Sequence, residues 1–379
     1  MRQSDDYVLL GLLAAGLVDT GRQLQRLADA VPGDDPARST FSPRWQEGFT
    51  RLWWRLTEDG QPTLQNYYSA LDLCRVPLGD WPITLGIAAS DQDAVLLNGG
   101  GVSEFTLEAA RFQRGDVEAQ LVEHRLFAEL RLVARANADT DQEVQDGYVR
   151  LRRMLIEQPV LSDLDVVRLE QEFPARPAAG EPYVMALVRA AYEQRPGEGG
   201  VDLVRCANCR IPLPHARRRA ACGTPGCKTA AETFHADTLG FYWVLHRAAR
   251  RFVHGAGVFE LRVFKQIENL GLEPDLWAEL DALDVSFPVD RAGRTYWGTD
   301  EKDWESPGLL ARCFSWPRAP ACTRRFLVVP THRAQAMYLA DLRTELEGRL
   351  PADLPVEVVG ERKLLAEVRK AIRAQGRRP

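Results

Sequence analysis

Apolar residues recur at three- and four-residue spacing through most of the first two hundred positions, the period of helices with one buried face. The pattern predicts helices over 7–30, 43–57, 117–136, 141–157, 162–173 and 182–194, with breaks at Pro32-Gly33, at 98–101 and at 176–180. The pairs Trp53-Trp54 and Tyr67-Tyr68 fall inside such stretches and are assigned to the core. Residues 195–200 (RPGEGG) read as a linker. Residues 237–253 read as a strongly apolar helix.

Beyond residue 255 the period changes and an ordered series appears. Residues 256–270 predict a helix closed by Gly271. Residues 283–289 (LDVSFPV) and 295–301 (TYWGTDE) predict a hairpin around the turn 290–294. A further strand over 326–330, a helix over 333–348, a strand over 355–359 and a basic helix over 361–374 follow. A strand–helix–strand unit favours parallel pairing, whereas a hairpin is antiparallel, so a mixed sheet is expected.

Composition divides the chain in the same place. The net charge is −5, but residues 1–200 carry 20 Lys/Arg against 31 Asp/Glu, and residues 201–379 carry 28 against 22. A polyanionic partner is therefore expected on the C-terminal half. Only five of the 48 basic residues are lysines, the first being Lys228, so a lysine here draws attention to its own chemistry. The apolar stretch 7–18 follows Asp5 and Asp6, lacks a basic flank and is too short to span a bilayer. Seven cysteines, four of them clustered, argue against a disulfide framework and for a reducing cytoplasm.

The cluster is Cys206-x2-Cys209, a twelve-residue gap, then Cys222-x4-Cys227. Two close pairs fold four sulfurs toward one point, which suits a tetrahedral Zn²⁺ at about 2.3 Å with no open position, hence a structural ion. His215 or His235 could replace one thiolate. Between the pairs Arg217, Arg218 and Arg219 form a basic loop that could meet phosphates or merely be solvated; Arg333 is a further candidate contact. Cys74, Cys313 and Cys322 read as buried structural thiols, and Trp304 as a packing residue.

The hairpin carries the most informative chemistry. Asp300-x-Lys302 ends its second strand and Asp284 opens its first, and a turn centred near residue 292 sets 284 opposite 300 or 301. Two adjacent carboxylates need a cation, and hard oxygen ligands suit Mg²⁺. Lys302 faces the same way and can orient a water and offset transition-state charge. Asp281 is the alternative to Asp284, but it precedes the strand and faces away by this count. Glu260, on the preceding helix, could bind the same or a second ion.

The runs GVFE (257–260), LWAELDALD (276–284) and WGTDEKDWESP (297–307) resemble the restriction-endonuclease-like proteins of bacterial pPIWI-RE conflict systems, over roughly residues 205–360. The literal Pro274-Asp275 falls before the strand and is not read as the motif. The resemblance implies a PD-(D/E)xK site of Glu260, Asp284, Asp300 and Lys302, with Glu260 resting mainly on it. It also implies DNA cleavage in concert with a PIWI/Argonaute-like protein and a helicase. The expected fold is α+β and multidomain: a helical region over 1–198, a zinc-ribbon-like module over 199–235, and an α-β-β-β-α-β nuclease core over 236–379. The expected activity is Mg²⁺-dependent DNA hydrolysis in prokaryotic defence, with a homodimer if both strands are cut. The alternative is a non-catalytic, zinc-containing nucleic-acid adaptor with a degenerate core.

Overall fold

A computed structural model describes residues 2–29, 41–99, 101–113, 117–197, 199–213, 222, 224, 226, 227, 230–290, 293, 295–317, 320–351 and 353–375. The chain is of mixed α+β class, with several small sheets and a four-cysteine cluster. It divides into two compact units that do not follow chain order. One comprises 1–118, 304–316 and 333–358; the other comprises 119–303, 317–332 and 359–379.

The first unit is built around helices Arg2–Asp29, Pro43–Glu58 and Glu104–Phe112, joined late in the chain by Pro307–Cys313 and Ala336–Leu346. Ser42 caps the second helix by accepting from Trp45 N at 3.2 Å, and Pro43 supplies the pre-set φ of a first helical position. Tyr7, Leu10, Leu13, Trp45, Leu52 and Phe105 are sealed in its core. Gly16 lets two helices touch: a Cβ there would lie 2.5 Å from Trp45 Cα. The core also encloses Asp91, whose Oδ2 accepts from Tyr7 Oη at 2.5 Å and from Ser306 Oγ at 2.7 Å. Burial pushes the Asp91 carboxyl up to about 7.

A five-stranded sheet is ordered Glu357–Gly360, Arg324–Val329, Tyr296–Glu301, Val285–Pro288 and Asp275–Leu276, and its last four strands lie in the second unit. Tyr296–Glu301 is parallel to Arg324–Val329 and antiparallel to Val285–Pro288, so the sheet is mixed as expected. Its inward residues Val285, Phe287, Phe326 and Val328 are fully buried. Helix Ala256–Glu268 packs on the central strands, and Arg262 at 3.0 Å ties it to Glu361 at the start of helix Glu361–Ala374. Helix Asp141–Glu157 begins with a capping box, in which Thr140 and Glu143 satisfy each other's backbone donors. Gly257 permits close approach of two of these helices, since a Cβ there would lie 2.2 Å from Ile156 Cδ1.

Several expectations are corrected. Residues 241–245 form a strand between Val160–Ser162 and Tyr192–Pro196, and only 247–255 are helical, the last six as a π-turn. An apolar run of this length has no decisive period, and its ladder partners come from distant parts of the chain. Arg195 and Pro196 lie in one of those partner strands rather than in a linker. Trp54 and Tyr68 are 57% and 66% exposed, so only Trp53 and Tyr67 of the aromatic pairs reach inward. Cys313 is exposed, whereas Cys74 and Cys322 are buried. The helix expected from 333 begins at Ala336. No helix among the described residues is long and apolar enough to cross a membrane.

Candidate active site and metal centre

The register Thr299↔Val285 carries the hairpin outward to Asp284 beside Asp300, where Asp284 N donates to Thr299 O at 3.2 Å. Asp284 Oδ2 accepts from the backbone N–H of Glu301 at 2.8 Å and from Lys302 Nζ at 3.4 Å. Lys302 Nζ also pairs with Asp300, and Asp300 hydrogen-bonds to Asp284. Lys302 is fixed at its own backbone, donating N–H to Val328 O of the parallel strand at 3.0 Å. The structure therefore brings Asp284, Asp300 and Lys302 together, on side chains 10%, 15% and 31% exposed.

Electrostatics split the two carboxyls. Burial pushes Asp300 up to about 7; the nearby Lys302 works against this and the Asp284 charge adds to it. Burial opposes ionisation of Asp284 too, but the Lys302 and Arg152 charges and the Glu301 N–H hold it below the usual carboxylate range. Desolvation works against the Lys302 ammonium, yet Asp284 and Asp300 keep it protonated well above the usual lysine range. Of the two carboxyls, Asp284 thus ionises readily and Asp300 reluctantly. Two oxygen donors of this kind, reachable from solvent, fit Mg²⁺, which binds through one or two carboxylates and keeps several waters.

Glu260 approaches the same centre closely enough for the Asp284 charge to affect it, but burial is what pushes it up to about 7. Its Oε2 accepts from Arg152 at 2.8 Å and from Trp277 Nε1 at 2.6 Å. Arg152 was not foreseen. It is 3% exposed on helix Asp141–Glu157, pairs also with Asp281, and lies with its Cζ 4.4 Å from the Trp277 ring centroid. Asp281 thus faces Arg152, while Asp284 faces Lys302. Glu301 was not singled out either: it is 2% exposed, and burial drives its carboxyl well above the usual range.

Between helix and strand, Trp277, Glu279, Leu280 and Asp281 have φ of 48°, 53°, 57° and 90°. Left-handed backbone costs an L-residue roughly 1–2 kcal/mol, so other groups must hold the turn. Gln145 Nε2 donates to Leu276 O and Trp277 O at 3.1 and 3.0 Å, and its Oε1 accepts from Leu280 N at 3.0 Å. Arg131 donates to Leu280 O at 3.4 Å.

The four cysteines converge as well. Their ligand atoms lie within 4.8 Å of one another, with Cys206 and Cys227 sulfurs 3.4 Å apart and Cys209 and Cys222 sulfurs 3.6 Å apart. Tetrahedral thiolates at about 2.3 Å from Zn²⁺ stand roughly 3.8 Å apart, so this donor set fits zinc. The knuckle is supported from outside: the buried His254 bonds through Nε2 to Cys209 O at 2.7 Å, and Arg250 donates to Cys222 O. His235 stays outside the cluster, paired with Asp202 at 2.7 Å. His215, Arg217, Arg218 and Arg219 lie outside the described residues. Arg333 pairs with Glu104 at 2.5 Å, and Thr331 donates to Glu361 at 3.1 Å. Trp304 packs against the core of the first unit, with Arg111 Cζ 5.8 Å from its ring centroid.

Residues 257–376 match the family model described as REase associating with pPIWI_RE. Residues 24–162 match a second, described as pPIWI_RE three-gene island domain Y. The two matches tie the chain to pPIWI_RE systems. Glu260, Asp284, Asp300 and Lys302 fall in the first matched segment, and Arg152 in the second. Comparison with curated proteins and with solved structures gives no match.

Proposed function

We propose that the protein is a metal-dependent DNA endonuclease of the PD-(D/E)xK kind, acting in a pPIWI_RE defence system. The observation that carries this reading is the convergence of Asp284, Asp300 and Lys302 at one end of the antiparallel hairpin. Asp284 and Asp300 would hold Mg²⁺, which when bound polarises a phosphodiester and acidifies a water. The Lys302 and Arg152 charges favour the ionised form of Asp284, and the Glu301 N–H orients it. Asp300 would bind the cation in its ionised form. Lys302 would orient the attacking water and offset charge on the scissile phosphate. The sheet is then a restriction-endonuclease-like core, the four-cysteine knuckle a structural zinc site, and a PIWI-like protein and a helicase are the working partners. A homodimer suits cleavage of both strands.

A non-catalytic nucleic-acid adaptor is the second reading, favoured by one observation: the Lys302 ammonium already pairs with both Asp284 and Asp300. The test incubates purified protein, alone and with its PIWI-like partner, with plasmid and single-stranded DNA in Mg²⁺ or EDTA. Mg²⁺-dependent cleavage that falls at least about a hundredfold in Asp300→Ala and Lys302→Ala is expected. Cleavage unchanged in both variants removes the site assignment, and DNA binding without cleavage under every condition favours the adaptor.

A further inference from the structure

The metal-site expectation places Glu260 among the ligands, yet its surroundings are those of an anion already spoken for. One oxygen takes two donors, Arg152 at 2.8 Å and Trp277 Nε1 at 2.6 Å, and the residue is 2% exposed. Arg152 bridges two carboxylates through separate guanidinium nitrogens, one arm on Glu260 and the other on Asp281, with its face on Trp277. Asp281 and Trp277 are the two ends of the left-handed turn, and Trp277 N donates to Asp284 O at 2.9 Å. Through these contacts one arginine holds the helix glutamate, both ends of a strained turn, and the backbone of the candidate metal ligand Asp284.

We infer that Arg152 is a positioning residue of the hydrolytic centre: it reserves Glu260 as its own counter-ion, outside the metal's coordination, and sets the turn that aims Asp284. The inference rests on the nuclease reading. A buried ion pair that served only to hold helices together would leave the metal and the chemical step untouched when replaced by a folded neutral pair. A pair that aims a ligand acts like other groups that orient first-shell ligands, whose loss typically changes metal affinity or turnover by about 10–100-fold.

The test titrates the full chain with Mn²⁺ by calorimetry and measures Mg²⁺-dependent turnover in the same preparations. E260Q keeps a hydrogen-bond acceptor for Arg152 and Trp277, and its Mn²⁺ affinity is expected within about threefold of the native value, whereas D284N loses at least about tenfold. A tenfold loss in E260Q makes Glu260 a ligand and overturns the inference, leaving the nuclease reading intact. An unchanged D284N removes the metal centre itself, a failure of the nuclease reading. R152K keeps the charge but not the two guanidinium arms and is expected to lower kcat by about tenfold or more with KM for DNA unchanged. Should R152K not fold, R152Q/E260Q removes both buried charges together and serves in its place. Native kcat in whichever of these variants folds overturns the positioning role.

Discussion

Glu301 donates its backbone N–H to Asp284 Oδ2 at 2.8 Å, so the strand that carries Asp300 and Lys302 also grips the carboxylate opposite them. The bond lies at the edge of the paired register, one step beyond Thr299↔Val285. It joins two strands through a side chain where the backbone ladder has ended. It adds to the Lys302 and Arg152 charges that hold the Asp284 carboxyl down, while burial pushes Asp300 up.

A pH signature follows from that division. Asp300 and Glu260 both sit at about 7, well above the usual carboxylate value of about 4. Between about pH 4 and 7 the folded chain therefore holds protons that the unfolded chain has released, so the metal-free protein loses stability as pH rises through this window. Mg²⁺ needs Asp300 deprotonated, so its affinity should rise through pH 7, by up to about tenfold per unit below it. Melting temperatures at pH 5, 6, 7 and 8, in EDTA and in Mg²⁺, should show a gap that widens with pH and flattens in Asp300→Asn. A gap independent of pH would contradict the raised Asp300 carboxyl.

The cysteine knuckle should hold one zinc per chain. Cys206→Ser with Cys209→Ser removes both ligands of the first pair, and loss of the metal should melt the surrounding second unit, because a structural ion's binding energy is folding energy. Elemental analysis together with limited proteolysis of that unit checks both parts. Full zinc content in the double variant would sink the four-thiolate assignment.

Gly257 should resist enlargement. A Cβ there falls 2.2 Å from Ile156 Cδ1, and Val adds two more methyl groups to the same gap. Gly257→Val should destabilise the protein by about 1–3 kcal/mol, the ordinary cost of overpacking, read as a lower denaturant midpoint. Because Gly257 and Ile156 flank the residues of the Glu260–Arg152 pair on the same two helices, Mg²⁺-dependent turnover should fall with it. An unchanged midpoint would mean that Ile156 moves aside freely.

Much of the fold can be read from the chain alone, for a local physical reason. Helices such as Asp141–Glu157 and Pro43–Glu58 announce themselves by apolar spacing and by caps, Thr140 with Glu143 and Ser42 with Pro43. The cysteine pairs and the Asp284, Asp300, Lys302 set are likewise written at short range, because a hairpin's register depends only on its turn and its period. Tertiary structure alone decided the rest. Residues 241–245 become a strand because distant segments offer ladder partners, which no local pattern records. Arg152 is one arginine among many on an ordinary amphipathic helix; only packing buries it beside Glu260 and Asp281, where removing one partner would leave a buried charge uncompensated.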